Sequence, residues 1–454
     1  MKFGGSSVAD AQRIESVAGI VAETAAVSPP CVVLSALKGI TDLLIDAASK
    51  ATASDAGYRD RLDELEQRHL DVASTLIGRD APVCGVLSER VADLRGVLHG
   101  VELVRECTAR TRDLIMSFGE LLSSELVTAI LHHKGVTAVM ADPRGIIVTD
   151  EAHGSARVNR PTTYERMRTH IAGQAGVVVI PGFVAATPSG VTTTLGRNGS
   201  DYTASLVGAG LGAECVEIWT DVDGVYSADP RSVPDAFVIE KMSFEEAAEL
   251  SYFGAEVLHP SSMVPVVELD IPVYIRNTLN PAAKGTRISA ESSQAEFITG
   301  LASVEHVSIV NVEGAGMMGT PGIAARIFTA IAHAGVNVLM ISQASSEHTI
   351  CLVFRSGDVP RAIAELEREF APELASREIH QFETYNELEI VAVIGENMRG
   401  KSGVSGRLFQ SLGAEGISVH AIAQGSSERN ISFVVAGSDR ERTLNTVHRA
   451  FFSK

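Results

Sequence analysis

Along roughly the first 290 residues, short unbroken apolar runs alternate with stretches whose apolar positions recur every three or four residues. The runs CVVLSAL (31–37), VTAVMA (136–141), VVVIPGFVA (177–185) and CVEIWTDV (215–222) have the length and β-branched content of buried strands. Ile14, Val17, Ala18, Val21 and Ala25 repeat at helical spacing behind a Ser7-x-x-Asp10 capping box. A second helix is predicted over 114–131, ended by Gly135. Strand and helix in alternation predict a mostly parallel sheet covered by helices, with ligands at the carboxyl ends of its strands.

The period changes after NPAAKGTRISAESSQAE (280–296), a polar stretch suited to a linker. From there an internal repeat sets in: 312–354 aligns without a gap on 393–435, at a constant offset of 81 residues. Glycines, the Arg-x-Phe pairs (Arg326 and Phe328, Arg407 and Phe409) and the glutamines Gln343 and Gln424 coincide. Each copy reads strand, Gly-rich turn, helix, strand, turn, strand. Polar Gln and Ser-Ser-Glu recur beside the apolar positions, which argues for a pair of small-molecule sensing modules rather than for packing alone.

Composition narrows the function classes. A chain of 454 residues suits about three domains. With 38 basic against 56 acidic residues the net charge is -18, which disfavours a duplex nucleic-acid partner and requires any bound phosphate to be held locally. No apolar run approaches the roughly 18 residues that cross a bilayer. The start shows neither the apolar core nor the Arg-rich amphipathic stretch of a targeting segment. Cys31, Cys84, Cys107, Cys215 and Cys351 lie far apart with no CxxC pair, so buried free thiols and a cytoplasmic setting are expected.

Four stretches are unusually polar for their surroundings. In K2-F-G-G-S-S-V8, Gly4 and Gly5 let backbone amides approach a phosphate that Lys2 can reach, although a plain turn after a strand accounts for the same residues. T193-T-L-G-R-N-G-S-D-Y-T203 leads into a helix near Ser200 and Asp201. Its free amides suit an anion, and Arg197 offers a planar fork for a carboxylate. W219-T-D-V-D-G-V-Y-S-A-D-P-R231 lacks the twelfth-position glutamate of a calcium loop and is better used at the edge of a nucleotide. In S117-F-G-E-L121, Glu120 lies beside an apolar stripe; it is either paired with a functional partner or on an exposed helix face.

Together KFGGSSVAD, SFGEL, TTTLGRNGSDYTAS, WTDVDGVYSADPR, ELSYFGAEVLHP and AIAQGSSERNIS closely resemble the aspartate kinases, from Met1 to about Phe452. The resemblance implies an α/β chain: an amino-acid-kinase αβα sandwich over 1–290, followed by two interleaved ACT (βαββαβ) domains. The first would occupy 306–380 and the second 297–305 with 381–454. It implies ATP-dependent phosphorylation of the L-aspartate side chain, with Mg2+ brought by ATP and no all-protein metal site. By the same resemblance Lys2 neutralises the transferring phosphoryl group and Asp201 orients that lysine. Thr41, Glu120, Arg197 and Ser200 hold aspartate, Arg197 at the α-carboxylate and Glu120 at the ammonium. Lys2, Gly4, Gly5, Thr220, Asp221, Tyr226 and Arg231 form the nucleotide set.

The chain departs from the pattern in three places. Ser6 stands where relatives carry threonine, which keeps the hydroxyl. Glu256 stands where relatives carry a lysine that touches nucleotide, so it is not counted among the ATP contacts. Details such as LGRNGSDY and AIAQGSSE look most like the kinase half of the fused aspartate kinase and homoserine dehydrogenase, yet the sequence ends at Lys454, and a monofunctional kinase is expected. Lysine-sensing relatives place an acidic residue near Leu339. That position is apolar here, and Asn337, Gln343 and Gln424 are the expected effector contacts, with threonine favoured over insensitivity. A homodimer or larger homo-oligomer through the ACT domains is expected. Two rival readings are a related kinase acting on glutamate or a nucleotide, and a non-catalytic sensor.

Overall fold

The computed structural model describes residues 1–253, 259–291, 297–317, 319–343 and 348–452. Two compact units emerge. The first comprises Met1–Val225, Glu240–Phe244 and Val257–Glu291, and the second Tyr226–Ile239, Glu245–Glu256 and Ser292–Lys454. Glu256, 292–296 and the Ser-Ser-Glu of the first repeat copy lie outside the described residues.

In the first unit the chain runs β1 (Lys2–Phe3), α1 (Ala11–Ala25), β2 (Cys31–Leu34), α2 (Ile40–Thr52), α3 (Tyr58–Ile77), α4 (Pro82–Val104), α5 (Ala109–His133) and β3 (Ala138–Met140). It continues through α6 (Arg160–His170), β4 (Val177–Pro181), β5 (Val184–Ala186), β6 (Thr192–Thr194), α7 (Gly199–Leu211) and β7 (Val216–Thr220). After β8 (Lys241–Ser243) and α8 (Phe244–Tyr252), which leads into the second unit, α9 (Pro260–Val267), β9 (Val273–Asn277) and β10 (Thr286–Ser289) complete it. The sheet order is β3-β4-β2-β1-β7-β9-β10-β8, parallel from β3 to β9. Lys2 lies opposite Val33 of β2 on one side and Ile218 of β7 on the other. The chain leaves β1 toward β2 but reaches β7 on the opposite flank, so the crevice at the carboxyl end of β1 is the switch point where such sheets bind ligands.

One face of the sheet is sealed by a core in which Phe3, Val17, Val21 and Leu34 meet Leu44, Leu62, Leu87 and Leu126 from α2 to α5. Helix α5 has the length and apolarity of a membrane span, but it is mostly buried as the central helix of this layer. On the other face α7 is clamped against its neighbours by glycine. A Cβ at Gly208 would sit 2.5 Å from Val216, and one at Gly210 2.6 Å from Met167.

Four local expectations change. Asp10 alone caps α1, accepting from the Arg13 amide, while the Ser7 hydroxyl turns to Trp219 O and the Thr278 hydroxyl. The run 177–185 is two strands, because Phe183 takes a left-handed φ of 67° and its amide bonds to Thr203 Oγ1 instead of a neighbouring strand. The expected linker contains β10, whose buried Thr286 and Ile288 alternate correctly for a strand between β9 and β8. The five cysteines are free but only half-buried.

The second unit holds β11 (Gly300–Glu313), α10 (Ile323–His333), β12 (Met340–Gln343), β13 (Thr349–Arg355), α11 (Val359–Glu369) and α12 (Ala371–Ala375). Then follow β14 (Glu383–Ile394), α13 (Val404–Ala414), β15 (Ala421–Gln424), β16 (Asn430–Ala436) and α14 (Arg440–Phe452). The repeat is exact in structure: α10 and α13, β12 and β15, and β13 and β16 are each displaced by the same 81 positions. Their antiparallel sheet runs β12-β13-β11-β14-β16-β15, and the long β11 pairs with a strand of each copy, which interleaves them. Each copy has its own core, one around Ile327, Leu352 and Phe354, the other around Leu408, Phe433 and Val447. The segment 226–239 packs into the second of these through Ala228 and Val233.

Candidate active site

Lys2 is buried in the centre of the sheet, and its Nζ pairs with Asp201 Oδ1 at 2.7 Å, joining β1 to the first turn of α7. Lys2 opens a two-residue central strand paired on both sides, so its backbone is fixed and its ammonium is held against Asp201 with little freedom. The turn that follows is narrow. A Cβ on Gly5 would lie 3.2 Å from Ala36 O, and one on Gly4 would lie 3.3 Å from Lys2 Nζ itself.

Helix α7 opens at Asn198, which adopts a left-handed φ of 57° and supplies no side-chain cap. The Gly199 amide donates to Gly196 O, and those of Ser200 and Asp201, which make no hydrogen bond among the described residues, are left for a ligand. Ser200 is buried there, and it is held so tightly that a Cβ on Gly182 would fall 2.7 Å from Ser200 Cβ. Arg197, just before the helix, is exposed and forms no ion pair among the described residues. Thr41 sits in the first turn of α2, which likewise starts at a left-handed Gly39 without a side-chain cap.

Glu120 is only 6% exposed, which removes the exposed-face alternative. Burial pushes its carboxyl up to about 8; the Ala36 amide and the charge of Lys2 pull the other way without cancelling it. A carboxyl whose charged form is disfavoured this far by desolvation gains most from a cation that would enter beside it and draw off its proton.

Thr220 ends β7, where its carbonyl accepts from the Thr278 amide, and the exposed Asp221 follows. Asp223 accepts from the side-chain amides of Asn277 and Asn280, which shapes this loop. The first unit thus holds Lys2 in β1, Gly4 and Gly5 in the turn after it, Thr41 in the first turn of α2, Glu120 inside α5, Arg197, Ser200 and Asp201 around the start of α7, and Thr220 and Asp221 at and just after the end of β7. Tyr226 and Arg231 belong to the second unit. There Tyr226 bridges to Val238, and the Arg231 side chain, 89% exposed, folds back bidentately on Asp229. Among the described residues no cluster of three or more His, Cys, Asp or Glu side chains could cage a metal.

In the second unit a cavity of about 330 Å³ opens between the Gly-rich turn and α10, lined by Met317, Thr320, Pro321, Ile323, Gln343 and Ile350 among others. Helix α10 starts at Gly322 in the left-handed region, again without a side-chain cap. Gln343 lines this cavity; Asn337, exposed before β12, and Gln424, at the end of β15, do not.

Sequence reading missed Gly182, Phe183 and Asp113. The first two sit inside an apolar run, where a glycine was the one available signal of a break. Asp113 has no local signal, because its partners come from residues 153, 154 and 194.

The pattern of the amino acid kinase family matches residues 1–277, and that of the ACT domain matches 310–370 and 391–451. A chloroplastic bifunctional aspartokinase/homoserine dehydrogenase of Daucus carota is 38% identical over 99% of this chain and 50% of its own length. The chain therefore spans about half the length of the curated relatives it first matches. The chloroplastic aspartokinase 1 of Arabidopsis thaliana is 34% identical over 100% of this chain and 80% of its own. Among solved structures, E. coli aspartokinase III in complex with aspartate and ADP superposes with a TM-score of 0.81 at 29% identity, covering 100% of this chain and 99% of that one. The same enzyme with lysine and aspartate gives 0.83 at 30% identity, with equal coverage.

Proposed function

The chain belongs to the amino acid kinase family, within it to the aspartokinases, and on that footing we infer that it transfers the γ-phosphoryl group of ATP to the side-chain carboxylate of L-aspartate. The product is 4-phospho-L-aspartate, the entry to lysine, threonine and methionine. The observation that carries this reading is the Lys2–Asp201 pair at 2.7 Å at the switch point of the sheet, with a buried, charge-seeking Glu120 in the same unit. Phosphoryl transfer is mostly positioning and charge stabilisation, and a carboxylate nucleophile is already ionised, so a fixed cation matters more than a base. Arg197 takes the α-carboxylate and Glu120 the ammonium, with Thr41 and Ser200 beside them. Gly4, Gly5, Thr220 and Asp221 serve the nucleotide. Mg2+ would come with ATP and would supply charge neutralisation on its phosphates. Coupled ADP release should require L-aspartate. Equal release with L-glutamate, or none with either, would replace this reading by one of its rivals.

The cavity against α10 is the effector site in this reading, with Gln343 as its polar contact and a homo-oligomer formed through the ACT domains in the cytoplasm as its setting. None of the described residues lining it is acidic, which favours threonine over lysine. Millimolar threonine is expected to inhibit and lysine to leave activity unchanged; inhibition by lysine alone would sink the threonine assignment.

A further inference from the structure

Asp113 and Glu120 lie seven residues apart on α5, close to two turns, and so share one stripe of the helix. Asp113 is 2% exposed, and three donors converge on its carboxylate through four contacts. They are Thr194 Oγ1 at 2.6 Å, His153 Nδ1 at 2.8 Å, and the Gly154 amide at 3.0 Å from one oxygen and 3.1 Å from the other. A buried carboxylate is tolerated only with such complete pairing. The donors come from two segments far from α5 in sequence: the 150–156 loop and β6.

Both segments lead to Arg197. Thr194 closes β6, its carbonyl accepts from the Ala156 amide, and the Leu195 amide then bonds to Phe183 O. Gly196, with φ at 75°, presses on the same loop: a Cβ there would meet Gly154 O at 3.2 Å and Ser155 Cβ at 3.3 Å. The loop held by Asp113 is therefore the floor of the turn that presents Arg197. The guanidinium itself makes no ion pair among the described residues, so the turn beneath it fixes its place.

We propose that Asp113 is a positioning residue that sets the distance between Glu120 and Arg197, and through it the fit of an α-amino acid's ammonium and carboxylate. This rests on the assignment of Glu120 and Arg197 to aspartate. Asp113→Asn keeps the shape but turns an amide donor toward groups that are themselves donors. It is expected to raise the KM for aspartate about tenfold, while the KM for ATP stays within about twofold. Thr194→Val should raise the KM for aspartate about fivefold, and Thr194→Ser, which keeps the hydroxyl, should restore it. The threonine pair decides the matter if Asp113→Asn does not fold. Parallel rises in both KM values, or a Thr194→Val enzyme with unchanged KM for aspartate, would overturn the proposal. Arg197→Ala separates the two layers. If it raises the KM for aspartate while the Asp113 and Thr194 variants do not, positioning by Asp113 fails and the substrate site stands. If Arg197→Ala has no effect, the substrate site itself is misassigned.

Discussion

Lys2→Met is expected to lower kcat by about a thousandfold while changing the KM for aspartate little, because the lost cation acts on charge that builds up during transfer. Methionine fills nearly the same volume, so the strand should still pair with β2 and β7. Its cost falls on Asp201, which loses its partner at 2.7 Å in a site where both side chains are largely shielded. Thermal melting should therefore show a lower Tm, and Lys2→Met with Asp201→Asn should recover part of that stability but none of the activity. A Lys2→Met enzyme retaining kcat within tenfold of the parent would remove Lys2 from the chemistry.

The second large effect is expected from Glu120→Gln, and it runs in opposite directions for stability and binding. The folded protein holds Glu120's proton up to about pH 8, whereas the unfolded chain releases it near its ordinary 4.5. Between those values the folded state binds more protons, so the carboxyl lowers stability as pH rises through this window and imposes its full penalty above about 8. Glutamine avoids that penalty. The variant should be more stable than the parent by on the order of 4 kcal/mol above pH 8, and the difference should vanish below about pH 4.5. It should also raise the KM for aspartate roughly 10- to 100-fold, the range for losing a charged partner. In the parent, aspartate should bind more weakly as pH falls below about 8, and the variant should lose this dependence. Equal melting curves at pH 5 and pH 9, together with an unchanged KM, would end this account of Glu120.

How much of this could be read before the coordinates depended on where each residue's partners lie. Strands β2, β3 and β7 and helix α1 were legible because hydrophobic period is a local property. The repeat was legible to the residue because its two copies keep one offset. Lys2, Arg197, Ser200 and Asp201 sit in polar stretches that interrupt apolar ones, and such interruptions are visible. Ser7 misled because a hydroxyl three residues before an acid looks like a cap, whereas its partners, Trp219 O and Thr278, are distant in sequence. The same holds for Asp113. Strand β10 was hidden in a polar segment because Ile288 is its one apolar residue, its other buried positions being Thr286 and Ser289. The 226–239 stretch reads as kinase sequence, but its apolar residues Ala228 and Val233 find their core in the second unit, a fact no periodicity carries.

The position of β1 bears on the order in which the protein is made. Lys2 can meet Val33 soon after both leave the ribosome, but its other neighbour, Ile218, and its ion-pair partner, Asp201, are synthesised much later. Pairings of such long sequence separation form slowly and only once the intervening chain exists. Lys2 is therefore only half-paired until α7 and β7 arrive. A truncated product ending before them would hold the helical layer of the first unit without the Lys2–Asp201 pair.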